Sequence, residues 1–490
     1  MCVLRLIASI AIIFKCTLAQ LTQDDFKCDY DTALTNSQVY SSIESLTDIL
    51  AKQTDQPMIM DATNVEGAHP YFYDRYYIRP VYFQGLPYLN NCTLVFAWLS
   101  TPISDNVDGG VSGVVLAHGG GGTAMKVWCE KWAENNVASI AIGLEGQTDE
   151  PAPWYGWTKT LFPGPRRRHA YSDYELPVNH QWMFHAVAQS MLANTLLRSQ
   201  PFVNQDLVGV AGVSWGGAIA STMLSVDYER LAFGIPAYGC GSMMGRETGS
   251  GISRQMASGG AEAYYSRVWD PTARFQRLFR TVDASLIPPT LWISWPEESH
   301  FPIDRQALTY NTLLHHGAEA MVLLVPKLGH SHGAIWRRPE SYFFVKNVVD
   351  TRQQKLRTLG QASNSIIKGN AYVLQVDQIV TPSKYHDTLL DYSLFFRSRR
   401  EFDGSMVVYT CDDTNEPVFE REWLGKPSNT PKNEGCEDMN DKNSYCIYSV
   451  FFSMMKDKSC AFYVTLRTTN GMLVSSPLQY THQDMRQISQ

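Results

Sequence analysis

The amino-acid sequence predicts an α/β chain with a doubly wound, mostly parallel sheet, followed by an all-β, sandwich-like region. In the middle of the 490-residue chain, short apolar runs typical of parallel strands covered on both faces alternate with helix-like segments. These runs span 113–117, 138–142, 207–213, 290–294 and 321–325. After about residue 355 the strand candidates follow one another without a helical period, and Asn470-Gly471 between two apolar runs indicates a hairpin.

Residues 1–19 have the pattern of a cleaved signal peptide. Arg5 precedes an apolar run over 6–14, and Thr17-Leu18-Ala19 supplies the small residues that a signal peptidase reads. The run is too short to span a membrane, and the polar C-terminal end lacks the hydrophobic tail of a lipid-anchor signal. We therefore expect an exported protein without a membrane anchor.

The rest of the chain divides where the texture of the sequence changes. Residues 20–74 begin as a polar, irregular segment that we expect to pack on the body of the protein. Two antiparallel strand candidates separated by turn residues then open an α/β domain, which we place at 75–350. A polar stretch, 351–370, predicts a linker, and the strand candidates of 371–490 predict a β-sandwich-like domain.

The composition excludes several classes of function. Lys and Arg number 41 against 48 Asp and Glu, which gives a formal net charge of −7, and only 18% of the residues are charged. A nucleic-acid binder would need an excess of phosphate-neutralising cations, and a disordered chain would need lower hydrophobicity and more charge. Aromatic residues make up 12% of the chain, which suits a large core or a cleft for a small organic or carbohydrate substrate.

Cysteine usage agrees with export. Ten cysteines less Cys2 and Cys16 of the predicted signal leave eight, and an even number in an oxidising compartment indicates disulfide bonds. No Cys-x-x-Cys spacing occurs, which speaks against a structural zinc site, and the sequence points to no metal or organic cofactor. Asn91-Cys92-Thr93 matches the acceptor sequence for N-glycosylation, so we expect Asn91 on a surface loop.

Ser214 is the candidate nucleophile. It lies in Gly212-Val213-Ser214-Trp215-Gly216, a G-x-S-x-G sequence between an apolar run and a small-residue segment with helix potential. A sharp strand-to-helix turn presents the serine at the end of a sheet, and it needs glycines because neighbouring backbone lies close by. The placement between a strand and a helix makes the pattern far more specific than its residues alone.

A glycine-rich loop supplies the second part of an acyl-transfer site. His118 is followed by four glycines directly after the strand candidate at 113–117. Backbone N–H groups of this loop, for which we name Gly120 and Gly121, can donate to a developing oxyanion together with the N–H of Trp215. A phosphate-binding loop fits less well, because the Lys-Ser/Thr pair of a P-loop is missing.

The general base is expected after the last strands of the sheet. His330 and His332 lie just beyond the apolar run at 321–325, at the carboxyl end of a strand, where such a sheet binds its ligands. One of them would take the proton from the serine, which is a poor nucleophile as a neutral hydroxyl. We favour His330 because it is nearer the strand, and His332 stays open.

An orienting carboxylate should follow the strand candidate at 290–294. The sequence there offers Glu298, Glu297 and, further on, Asp304, and the distance from the strand favours Glu298. The chain order Ser214, Glu298, His330 is that of the Ser, Asp/Glu, His triads of one class of α/β enzymes.

Further motifs stand in order along the α/β region. They are His118-Gly-Gly-Gly-Gly-Thr123 with Trp128, Gln181-Trp182 with His185, Gly212-Val-Ser-Trp-Gly-Gly217, Tyr238-Gly-Cys-Gly241, Trp269-Asp270-Pro271 and His330-Ser-His332. Over about residues 75–345 the chain resembles secreted α/β-hydrolases of the acetylxylan-esterase-like or dienelactone-hydrolase-like kind. The resemblance implies an α/β-hydrolase fold and a carboxylic-ester hydrolase with a serine nucleophile. Where relatives carry a Gly-Thr-Asn-Asp-like stretch, this chain has Trp295-Pro-Glu-Glu298, so it departs from them at the acid.

The sequence therefore predicts a secreted serine hydrolase that cleaves carboxylic esters through an acyl-enzyme and a Ser-His-Glu triad. Its expected partner is a small-molecule or carbohydrate ester, with acetyl esters of carbohydrates as one candidate. Two alternatives stay open. One is a serine peptidase of the same fold, and the other is a non-catalytic extracellular binding or matrix protein on a hydrolase scaffold, which the altered acid region favours.

Overall fold

The computed structural model describes most of the α/β region and the strands that follow it. The described residues are 42–62, 65–103, 110–153, 156–243, 251–256, 259–359, 375–380, 389–398, 401–411, 418–428, 430–436, 446–455, 460–469 and 471–480. The predicted signal peptide at 1–19 and residues 20–41 lie outside them, so export stays a prediction. Among the helices described, none combines the length and apolar character needed to cross a membrane.

In the described residues before 330 there are twelve strands. They are β1 (Ile59–Asp61), β2 (Tyr71–Phe72), β3 (Tyr76–Gln84), β4 (Leu94–Pro102), β5 (Val111–Ala117), β6 (Ala138–Ile142), β7 (Gln147–Pro151), β8 (Trp157–Lys159), β9 (Val203–Val213), β10 (Gly234–Ala237), β11 (Thr290–Ser294) and β12 (Ala320–Leu324). All but β7 and β8 belong to the central sheet. Strands β5, β6, β11 and β12 are buried over their whole length, as their continuous apolar runs predict, and β10, which is not among the predicted strands, is buried as well.

Helices cover this sheet and connect its strands. They are α1 (Lys126–Glu134), α2 (Trp182–Arg198), α3 (Trp215–Val226), α4 (Gly251–Gln255), α5 (Gly259–Val268), α6 (Pro271–Leu278), α7 (Ile303–His315), α8 (His332–Trp336) and α9 (Pro339–Leu359). Short π and 3₁₀ turns lie at Leu46–Leu50, Val178–His180, Tyr228–Arg230 and Ala284–Leu286. Helices α2 and α3 are buried nearly throughout, and most of their residues are apolar or small.

The strands join in the order β1-β3-β4-β6-β5-β9-β10-β11-β12. Strand β4 pairs antiparallel with both β3 and β6, whereas β6, β5, β9, β10, β11 and β12 run parallel. The carboxyl ends of parallel strands meet at one edge of a sheet, which is where loops carry ligands in such folds. This mixed, mostly parallel sheet, with a serine turn between β9 and α3, confirms the predicted α/β-hydrolase fold.

In the residues that the structure describes after 370, the C-terminal region is built of strands, as predicted. They are β13 (Gln375–Val380), β14 (Leu389–Ser398), β15 (Phe402–Cys411), β16 (Leu424–Pro427), β17 (Lys432–Cys436), β18 (Cys446–Met455), β19 (Cys460–Thr468), β20 (Leu473–Ser475) and β21 (Gln479–Tyr480). One sheet has the order β13-β14-β18-β17, and the other contains β20, β19, β15 and β16. Aromatic side chains join the two sheets, with ring centroids 5.1 Å apart for Phe402 and Tyr448 and 5.3 Å for Phe452 and Phe462.

The second C-terminal sheet continues the central sheet. Strand β20 pairs antiparallel with β12 at Val322 and Ser475, and the Leu324 N–H donates to Ser475 Oγ over 3.0 Å. The Leu478 N–H also donates to the Tyr310 hydroxyl over 3.0 Å. The C-terminal strands therefore do not form a wholly separate sandwich, because one of their two sheets is an extension of the central sheet. An edge strand such as β12 exposes unpaired backbone groups, and β20 covers them.

The predicted linker at 351–370 begins as a helix. Helix α9 continues to Leu359, because neither glycine nor proline interrupts the sequence between Pro339 and Gly360. The remainder of the predicted linker lies outside the described residues.

Disulfide bonds form as expected, but not at every cysteine. Cys411 and Cys460 are bonded across β15 and β19, and Cys92 and Cys446 also take part in disulfides. Cys129 and Cys240 are free and buried. Cys129 lies on the inner face of α1, where it packs as a small apolar side chain. Asn91 lies exposed on the turn before β4, which agrees with the expected surface position. Its glycosylation stays a prediction.

Candidate active site

The serine predicted as nucleophile lies in a strained turn at the end of β9. Ser214 has φ 60° and ψ −119°, and its N–H donates to the Ala237 carbonyl over 2.8 Å. A Cβ atom on Gly216 would lie 1.9 Å from the Ala117 carbonyl oxygen, and one on Gly212 would lie 1.9 Å from the Gly216 carbonyl oxygen. Only glycine fits both positions, so the G-x-S-x-G pattern is required by this close backbone approach.

His330 and Glu298 form a pair on the loops that follow β12 and β11. His330 Nδ1 lies 2.7 Å from Glu298 Oε2. The Tyr238 ring, directly after Ala237, stacks on the His330 ring with centroids 4.6 Å apart, and its hydroxyl donates to the Gly329 carbonyl over 2.6 Å. The imidazole is thus oriented from one side by a carboxylate and from another by an aromatic face.

Glu298 is fully buried and accepts four hydrogen bonds. His330 Nδ1 and Trp295 Nε1 donate to Oε2, the latter over 2.9 Å. The backbone N–H groups of His300 and Phe301 donate to Oε1 over 2.8 and 3.2 Å. Burial raises the pKa of Glu298, but the hydrogen bonds, led by that from His330, outweigh it and hold the pKa below its ordinary value. The carboxyl is therefore ionised at neutral pH.

The other two predicted acids are Asp304 and Glu297. Asp304 belongs to α7, where its carboxylate pairs with the neighbouring Arg305 at 3.3 Å. Glu297 is half-buried in the turn after β11. Within the described part of the chain, His330 receives its carboxylate contact from Glu298 and not from Glu297 or Asp304.

His332, the alternative base, is placed differently from His330. Its Nε2 accepts a hydrogen bond from the Gly119 N–H at 2.7 Å. Burial, followed by the charges of His118 and His330, lowers the pKa of His332 to about 3. His332 is therefore neutral, with its proton on Nδ1 and its Nε2 lone pair occupied. This arrangement suits an acceptor and not a proton shuttle.

The predicted oxyanion loop lies beside the serine. A Cβ atom on Gly119 would meet Ser214 Cβ at 3.1 Å. The Gly121 N–H, however, donates to Glu145 Oε1 over 3.2 Å, so the expectation that it serves the oxyanion is not supported. The Gly120 N–H, between two engaged amides, and the Trp215 N–H, in the unpaired first turn of α3, are the better candidates.

Sequence reasoning missed two charged residues at this loop. Arg167 Nε lies 3.2 Å from Glu145 Oε1, and the guanidinium carbon lies 5.6 Å from the centre of the Trp215 ring. A Cβ atom on Gly120 would lie 2.5 Å from an Arg167 terminal nitrogen. Glu145 follows β6, so its place at the carboxyl end of a parallel strand was a usable signal. Arg167 lies in a loop, within a run of three arginines that carries no such signal.

Three potential metal ligands gather at the triad acid. One ligand atom from each of Glu298, His300 and His330 lies within 4.8 Å of the other two. Each oxygen of Glu298 already accepts two N–H groups, which uses its lone pairs. The donor set therefore fits a hydrogen-bonded carboxylate better than a metal site.

Three buried histidines predict a loss of stability in mild acid. Burial lowers the pKa of His118 to about 4, that of His185 to about 4 and that of His332 to about 3. In the unfolded chain each titrates near 6.5, so below this pH the unfolded state binds protons that the folded state refuses. The free energy of unfolding should fall by up to about 1.4 kcal/mol per pH unit for each histidine between pH 6.5 and about 4.

Urea unfolding at pH 7.5 and pH 5 measures this effect. The variant His185→Phe should show a smaller difference between the two pH values, because one titrating group is gone. An equal difference between the two pH values in the wild type and in His185→Phe would contradict the assignment of a neutral, buried His185.

No protein-family model matches the sequence, and no curated protein matches it either. Among solved structures, an acetyl xylan esterase from Paenibacillus sp. R4 is 17% identical over 65% of this chain and 94% of its own, with a TM-score of 0.43. An acylaminoacyl peptidase of Pyrococcus horikoshii is 17% identical over 55% of this chain and 41% of its own, with a TM-score of 0.41. A putative dienelactone hydrolase from Klebsiella pneumoniae is 16% identical over 59% of this chain and 100% of its own, with a TM-score of 0.35.

The assignment of the fold rests on the geometry of this chain itself. The parallel run of the sheet carries a glutamate after β11 and a histidine after β12, and the strained serine follows β9. The order of the sheet and the serine turn between strand and helix identify the fold as that of the α/β-hydrolases.

Proposed function

We propose that the protein is a secreted serine hydrolase that cleaves carboxylic esters, with Ser214 as nucleophile, His330 as base and Glu298 as the orienting acid. The observation that carries the proposal is the 2.7 Å contact between His330 Nδ1 and the buried Glu298 carboxylate. This contact fixes the tautomer that leaves the Nε2 lone pair of His330 available to accept the serine proton. The disulfide bonds agree with an exported protein.

The proposed reaction proceeds through an acyl-enzyme. Ser214 Oγ attacks the ester carbonyl while His330 takes its proton, and the negative charge that develops on the carbonyl oxygen is stabilised by the Gly120 and Trp215 N–H groups. His330 then protonates the departing alcohol. A water molecule, deprotonated by His330, attacks the acyl-serine and releases the acid and the free enzyme.

The acid region bears on the choice between this proposal and a non-catalytic scaffold. The departure of 295–298 from the pattern of the relatives favoured the scaffold, because a longer side chain replaces the expected Asp. Glu298 nevertheless reaches His330 and meets a full set of donors, which supports the catalytic alternative. For the substrate, we propose a small-molecule or carbohydrate ester, with acetyl esters of sugars as the first to assay.

A fluorophosphonate probe tests the nucleophile directly. We expect Ser214 Oγ to displace fluoride from phosphorus and form a stable phosphonyl-serine, so that the wild type becomes labelled within minutes. The variant Ser214→Ala should not be labelled. The matched control is Ser221→Ala, which removes a buried serine one to two turns further along α3 and should be labelled like the wild type.

Labelling is read by gel fluorescence and located by peptide mass spectrometry. A folded wild type that stays unlabelled and hydrolyses no small acetyl ester would favour the non-catalytic scaffold. Label on a residue other than Ser214 would refute the assigned nucleophile.

A further inference from the structure

Two side chains from distant parts of the chain hold the glycine loop beside Ser214. The loop is a tight turn, in which the Gly122 N–H donates to the Gly119 carbonyl over 3.0 Å. His332 Nε2 accepts from the first amide of the turn, that of Gly119, and Glu145 accepts from the third, that of Gly121. The amide between these two belongs to Gly120.

Each acceptor is fixed by its own neighbours. Glu145 is held by the Arg167 guanidinium, which also packs against the Trp215 ring. His332 lies beside Trp128 of α1, with ring centroids 6.5 Å apart, and begins α8. On the outer side of the loop, Trp157 Nε1 donates to the Gly121 carbonyl over 3.0 Å. Protein groups thus engage the turn at both of its ends.

These hydrogen bonds matter because glycine-rich backbone is intrinsically mobile. Four consecutive glycines can adopt many conformations, and an oxyanion donor contributes to catalysis only when it is already aimed before the reaction. A displacement of about 1 Å at a reacting centre can cost about 10²-fold in rate. Because the amides of Gly119 and Gly121 already donate to protein groups, the direction of the Gly120 N–H between them is restricted.

We propose that His332 and Glu145 are positioning residues, which hold the amides of Gly119 and Gly121 so that the Gly120 amide is presented to the oxyanion. This inference rests on the proposed function of the site. His332, the second histidine of the His330-Ser-His332 element, thereby has a role distinct from that of the base. The Glu145–Arg167 ion pair, which takes no part in proton transfer, has a role as well.

Paired substitutions separate an acceptor from a mere packing role. His332→Phe keeps a ring of similar shape and removes the acceptor, whereas His332→Gln keeps an amide oxygen near the position of Nε2. Glu145→Leu removes the acceptor for the Gly121 amide, and Glu145→Gln keeps one oxygen. The control is His185→Phe, which loses a buried histidine hydrogen bond, to the Asn179 carbonyl, outside this loop.

The assay uses the full-length protein, p-nitrophenyl acetate as substrate and a trifluoromethyl ketone, whose adduct with serine carries an oxyanion. We expect His332→Phe and Glu145→Leu to lower kcat by about 10- to 100-fold, with KM changed by about twofold or less. The affinity for the ketone should fall by the same factor as kcat/KM. His332→Gln and Glu145→Gln should recover most of the loss, and His185→Phe should keep the wild-type kcat.

The outcomes separate this inference from the proposed function. An active wild type whose His332→Phe and Glu145→Leu variants keep their kcat would overturn the positioning role alone. So would a His332→Gln variant as slow as His332→Phe, or an equal loss in His185→Phe, because packing would then explain the effect. A wild type without turnover and without labelling would overturn the proposed function and this inference with it.

Discussion

Ser214→Ala is expected to lower kcat for a small acetyl ester by about 10⁴-fold or more while the protein stays folded. Within the described residues, the strained backbone at Ser214 is held by the Ala237 carbonyl and by the glycines around it, and not by the serine hydroxyl. Alanine at this position makes the same backbone hydrogen bonds, because its N–H donates to the Ala237 carbonyl and its carbonyl accepts from the Ala218 N–H. The loss should therefore be chemical and not structural.

His330→Ala should be nearly as damaging, at about 10³- to 10⁴-fold in kcat, because without a base the serine hydroxyl remains protonated. The double variant with Ser214→Ala should be no slower than the slower single variant, since the two side chains act as one unit. Kinetics with a p-nitrophenyl ester and circular dichroism of each variant measure both effects. His316→Ala, an exposed histidine at the end of α7, is the matched control and should keep the wild-type rate.

An additive loss in the double variant would contradict the shared role. Wild-type turnover by Ser214→Ala would exclude the serine as nucleophile, because the reaction would then need a different attacking group.

The sequence predicted the parts of the site that local patterns encode. Ser214 was predictable because a strained strand-to-helix turn restricts the positions two residues before and two residues after it, Gly212 and Gly216, to glycine. Glu298 and His330 were predictable as positions, since each follows an apolar strand of a parallel sheet, and such strands end at a common edge. Their contact was not, because it depends on two loops separated by 32 residues.

Partners between distant segments were beyond local patterns. The Gly119 amide meets His332 across 213 residues of chain, and Glu145 meets Arg167 across 22, so neither pair has a spacing that a sequence motif records. The union of β20 with the edge of the central sheet is of the same kind, since an apolar edge strand can be covered by any segment with free backbone groups. The sequence therefore identified the candidate reacting residues more completely than it identified the long-range contacts that position them.

Glu298 stands where the chain departs from the pattern of the hydrolases it resembles, and Glu298→Gln is expected to lower kcat by about 10³- to 10⁴-fold. Four N–H groups converge on the carboxylate, and an amide has only one oxygen to receive them. If that oxygen faces the backbone donors of His300 and Phe301, the amide nitrogen faces His330. His330 must then accept at Nδ1 and carry its proton on Nε2, which cannot take the proton of Ser214.

The same substitution should cost stability, because the Trp295 indole N–H would face an amide donor. A buried donor left without an acceptor costs about 1–3 kcal/mol, and this cost appears in the free energy of unfolding. The lowered pKa of Glu298 gives the same sign, since its ionised form stabilises the fold above the pKa of the unfolded chain and this contribution is lost as the pH falls. Kinetics and urea unfolding at pH 7.5 measure the two losses together, with Glu297→Gln as the matched control. If Glu297→Gln lost activity and Glu298→Gln kept it, the orienting carboxylate would be Glu297, and the buried donor set around Glu298 would be purely structural.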